Sequence, residues 1–103
     1  MTSCRESLPN RRQSEILAFD HEGNRFTLGF SRFHDGRIAE IFLSSNRPGS
    51  VIEAIGRDAA IVTSLALQHG GDLETIRRAL TKDHDGGPAT LLGAALDAIA
   101  EAP

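Results

Sequence analysis

The sequence predicts an α+β domain: a three-stranded antiparallel meander packed on one side by two to three helices. Three observations predict it. Apolar and polar residues alternate between Arg12 and Ser45, and two turn signals divide that run. From Ser50 onward the apolar spacing becomes helical, behind a capping sequence. Gly70-Gly71 and Asp85-Gly86-Gly87-Pro88 then cut the helical half into pieces.

Residues 1–11 hold Ser3, Ser7, Pro9 and Asn10 without periodicity, and read as an extended N-terminal arm. Residues 12–103 read as a single domain. The strands are expected over about 12–20, 25–33 and 37–44. In the first, Ile16 and Ala18 share one face and Leu17 and Phe19 the other. Asp20 to Asn24 is a turn, because Gly23 and Asn24 tolerate positive φ. Phe26, Leu28 and Phe30 alternate with Arg25, Thr27 and Gly29, the mark of a half-buried strand. Asp35-Gly36 is a hairpin signal. In the third strand Glu40 falls on the same side as Ile38 and Phe42, which places a carboxylate on the core register.

Asn46-Arg47-Pro48-Gly49 forms the turn into the helices, expected over about 51–69, 73–82 and 90–101. Ser50 and Glu53 fit a capping box. Ile52, Ile55, Ala59, Val62 and Ala66 follow at helical spacing and read as the inward stripe, with Ile61 and Leu65 widening it into a mostly enclosed helix. Gly70 supplies a left-handed stop. Asp72 caps the second helix, with Leu73, Ile76 and Leu80 inward. Its Arg77, Arg78 and Lys82 suit the negative end of the helix dipole. Thr90 caps the third, which carries Leu92, Ala95, Leu96 and Ile99.

Composition limits the function. A chain of 103 residues with 40% apolar content supports one modest core. A net charge of −3 opposes general nucleic-acid binding, although Arg5, Arg11 and Arg12 make the arm basic. Cys4 is the only cysteine, which excludes an internal disulfide, a CxxC pair and a thiolate metal cage. The run from Ala59 to Leu67 is far short of the roughly 20 residues that a membrane span needs. No leader pattern precedes the domain, so a cytoplasmic protein is expected.

The ordered pieces Asp35-Gly36-Arg37, Glu40-Ile41-Phe42-Leu43, Pro48-Gly49-Ser50, Ala54-Ile55-Gly56-Arg57, Ser64-Leu65-Ala66-Leu67 and His69-Gly70 then Leu73-Glu74 resemble one family, and Thr2-Ser3-Cys4 matches the start of its name motif. That family is the TSCPD domain, found near the C-terminus of adenosylcobalamin-dependent ribonucleotide reductases and also as a stand-alone protein. Arg5-Glu6 stands where the name motif has Pro-Asp. The resemblance implies the fold and an accessory ancestry. It does not imply reductase activity, because a catalytic barrel and C-terminal cysteine pairs are missing from this sequence.

Candidate sites are weighed against plainer readings. Arg47 beside the helix N-terminus formed by Gly49 and Ser50, with Arg57 and Arg12, could bind phosphate or another anion. The plainer reading is a solvated Arg47 and a simple cap. Glu40, Asp58 and Arg57 are expected to form a structural ion pair rather than a catalytic acid, with Arg12 as an alternative partner. His21, His34 and His84 each neighbour carboxylates, but their spacing is that of turn formers and no metal site is expected. His69 suits a helix C-terminus. Cys4 on an arm lacks a fixed base, so no catalytic residue is assigned. The function expected is a non-catalytic binding or assembly module needing no cofactor and forming a homo-oligomer. A binder of small nucleotides or phosphate ligands is one alternative, and a metal protein or enzyme of unknown reaction is another.

Overall fold

The structure, a computed structural model, describes residues 4–8 and 14–102. Its elements run β1 (Ser14–His21), β2 (Asn24–Arg32), β3 (Ile38–Ser45), α1 (Val51–Gln68), α2 (Leu73–Ala79) and α3 (Leu91–Glu101). The strands form one antiparallel sheet in the order β1-β2-β3. The fold is thus the α+β meander with helices that the sequence predicts.

Local chemistry sets each joint. The β1–β2 turn closes on the His21–Asn24 pair, with Glu22 and Gly23 at φ 50° and 79°. Two consecutive positive φ values match the right-handed twist of the flanking strands. At the far end of α1, Gly70 (φ 95°) donates to the Leu67 carbonyl and Gly71 to the Ala66 carbonyl. This pair of bonds is a Schellman ending. Helix α2 stops at Ala79, short of the predicted 82, because Lys82 turns into an isolated antiparallel bridge with Pro88.

One sheet face carries the core. Phe26, Leu28, Phe30, Ile41 and Leu43 pack there with Leu67 of α1 and with Leu91, Ala95, Leu96 and Ile99 of α3. Gly56 makes the close approach of α1 to α3, since a Cβ there would lie 2.6 Å from Leu91 Cδ2. An irregularity in β3 corrects one expectation. Ser31 pairs with Glu40 but Arg32 pairs with Ile38, which leaves Ala39 as the extra residue of a bulge. The bulge turns Ile38 into the core, whereas Glu40 and Phe42 point to the opposite face.

A second correction concerns α1. Its buried residues are Gly56, Ala60, Thr63, Leu67 and Gln68, not the stripe read from the sequence. Ile55, Ile61 and Val62 are exposed, and Ala59, Val62 and Ala66 only border a shallow groove towards Ile76, Leu80 and Leu92. With apolar residues all round, the hydrophobic pattern does not fix which face turns inward. Small residues at 56, 60 and 63 let the helix come near the sheet, and that decides it.

Candidate functional site

Helix α1 runs antiparallel along the edge of β3 and supplies side chains to its outward backbone groups. Gln68 Nε2 donates to the Ala39 carbonyl at 3.1 Å. Ser64 Oγ accepts from the Ile41 amide at 2.9 Å and donates to the Ile41 carbonyl at 3.1 Å. Glu53 accepts from the Ser45 amide at 3.0 Å. An edge strand left bare is a template for unwanted pairing, and these contacts blunt it.

The same side chains line a cleft of about 540 Å³ between α1 and β3. Its walls mix charge and apolar surface. Arg5, Glu40, Glu53 and Arg57 contribute the charged groups, and Phe42, Ile61 and Leu65 the apolar ones. Arg5 belongs to the N-terminal arm, whose described part docks here. Arg5 Nε donates to Gln68 Oε1, the Glu6 amide donates to the Gln68 carbonyl, and Arg37 pairs with the Glu6 carboxylate at 2.8 Å. Cys4 is exposed beside this junction.

Glu40 is 8% exposed although it lies on the face away from the core. It accepts a hydrogen bond from the buried Ser31 hydroxyl at 2.8 Å. Arg57 and Asp58 are both exposed, and among the described residues no ion pair joins either of them to Glu40 or to each other. The sequence reading placed Glu40 on the core register, whereas the Ala39 bulge turns it to the opposite face. Arg12, the alternative partner expected for it and the other arginine proposed to meet an anion, lies outside the described residues.

The helix N-terminus proposed for phosphate already holds a carboxylate. Glu53 accepts from the Gly49 amide at 3.1 Å, and its own amide donates to Ser50 Oγ at 3.2 Å. The amides of Ser45 and Gly49 hold the Glu53 carboxyl below its ordinary pKa. An external anion at Gly49 and Ser50 has to compete with this internal one. Arg47 is exposed next to it, with its amide bonded to Ser45 Oγ.

The histidine turns do not converge. Among the described residues no group of three or more His, Cys, Asp or Glu is arranged to hold a metal ion. His84 meets its neighbour Asp85 at 3.4 Å in an exposed loop. His69 sits at the C-cap of α1. Among the described residues no helix is long and apolar enough to cross a membrane.

Sequence reasoning missed Ser64 and Gln68. Their signal was present: Glu53, Arg57, Ser64 and Gln68 are spaced by 4, 7 and 4 residues, a polar stripe down an otherwise apolar helix.

A meander, an edge-sealing helix and a docked arm define a small α+β domain. The chain belongs to the TSCPD domain family, whose model matches residues 5–102. It is 40% identical over 77 residues to the vitamin B12-dependent ribonucleotide reductase of Agrobacterium fabrum, across 75% of this chain and 6% of that protein. The enzyme of the same name from Rhodopirellula baltica is 36% identical over 72 residues, across 70% of this chain and 7% of its own. That from Bradyrhizobium diazoefficiens is 31% identical over 77 residues, with 75% and 6% covered. The chain thus spans well under a tenth of the length of these relatives. No solved structure matches it significantly.

Proposed function

We propose that this domain is a non-catalytic binding and assembly module that works as a homo-oligomer, in keeping with an accessory ancestry in reductases. The observation that carries the reading is the outer surface of α1. Val51, Ile61 and Val62 are 78%, 57% and 65% exposed, and Ile55 and Leu65 are exposed beside them. Scattered apolar residues on a surface are ordinary. Five large aliphatics on one helix are not, because a surface helix normally shows charge on that side. A second copy of the chain would bury this ridge, and its twofold arrangement needs no other partner.

The test is sedimentation of the purified chain over a range of concentrations. A dimer or larger species is expected at micromolar concentration. Val62→Glu, a change at an exposed position, should give a folded monomer with unaltered circular dichroism. A wild-type chain that stays monomeric at high micromolar concentration overturns the reading.

A further inference from the structure

The ladder between α1 and the β3 edge has one missing rung. Gln68 bonds Ala39, Ser64 bonds Ile41, and Glu53 bonds Ser45. These strand residues are every second one, so the peptide groups of Leu43 turn outward with them. Among the described residues no helix side chain bonds the Leu43 N–H or C=O. The polar residue that α1 brings alongside is Arg57, one turn beyond Glu53. Its guanidinium makes no hydrogen bond or close ion pair among the described residues, although its charge acts on the Glu53 carboxylate, and it lines the cleft together with Leu43. A backbone donor and a cationic fork therefore face the same stretch of cleft wall.

We propose that the α1–β3 cleft binds a small molecule with an anionic head, a carboxylate or phosphate, on an apolar body. The head rests on Arg57 and the Leu43 amide, a combination of bidentate cation and fixed N–H donor suited to such oxygens. The body lies against Phe42, which is 55% exposed, and against Ile61 and Leu65. The cavity of about 540 Å³ falls within the roughly 300–1,000 Å³ of small-molecule sites. Two carboxylates also line the cleft, but both are engaged. Glu53 is held by the Ser45 and Gly49 amides, and Glu40 accepts from Ser31. These groups all come from one chain, but Ile61 and Leu65 also belong to the α1 ridge of the self-association reading; the Val62→Glu chain, which keeps both, separates failure of one reading from failure of the other.

Amide NMR titration of the full chain tests this with 4-phenylbutyrate and adenosine monophosphate, using 4-phenylbutanol as the uncharged control and inorganic phosphate as the bodiless one. At least one of the two organic anions should shift the Leu43 amide saturably, and more tightly than either control. Arg57→Gln, at an exposed position, should weaken that binding about tenfold while leaving the melting temperature unchanged. Preference for the nucleotide identifies a phosphate head, and preference for phenylbutyrate a carboxylate. A Leu43 amide unmoved by both organic anions, equal binding by Arg57→Gln, or equal binding of the uncharged control overturns the proposal.

Discussion

At the scale of single residues, Ser64 closes the sheet. One hydroxyl both accepts from and donates to Ile41, a pairing that a strand neighbour would otherwise supply. Ser64→Ala removes both bonds and leaves two partly buried peptide groups without a partner. Losing them should cost about 1–3 kcal/mol. Urea unfolding checks this: the midpoint should fall while the slope stays constant, because the unfolded surface is unchanged. No apolar residue of similar size should restore the loss. Glu40 is a counterexample in legibility. Its oddity was visible in the sequence, yet its hydrogen bond from Ser31 was not, because the Ala39 bulge arises only when β2 and β3 pair.

At the scale of elements, endings were easier to read than faces. Although the Glu53 carboxylate reaches Gly49 and Ser45 and not the Ser50 amide of a full capping box, the Ser50 cap, which accepts from the Glu53 amide, and the stop at Gly70 follow from local chemistry. They need no knowledge of the rest of the chain. Gly70→Ala should therefore destabilise the domain by about 1–2 kcal/mol, since its φ of 95° strains a residue bearing a Cβ. Thermal unfolding would register a lower melting temperature, and substitution of the exposed Gly86 loop would not be expected to disturb α1. The inward face of α1 was not legible for a different reason. Ile52, Ile55, Val62 and Leu67 offer competing stripes, and only contact with Leu91 and Leu43 around Gly56 selects one. The same ambiguity hid the cleft, whose polar lining lies on the side the sequence reading left unassigned.

Across the whole molecule, a carboxylate network ties α2 to α3. Arg77 pairs with Glu74 at 2.6 Å and with Asp97 of α3 at 3.0 Å, and Arg78 also reaches Glu74. Hydrogen bonding from Arg77 lowers the Glu74 pKa from the ordinary 4.5 to about 2. A depressed carboxyl stabilises the fold above its unfolded pKa and stops doing so as pH falls through its folded value. The contribution of Glu74 is thus complete above about pH 4.5 and fades towards pH 2. The melting temperature should drop across that window, and Glu74→Gln should flatten the drop there. The pair is partly solvent-exposed, so added salt should shrink the difference.

The sheet of this domain has unequal borders. A row of side chains occupies the β3 border, and β1 forms the other end of the strand order. Backbone joining between copies could use β1 alone, so it would meet a dead end after two chains. A domain built this way cannot propagate into a fibril through its native sheet, however concentrated it becomes.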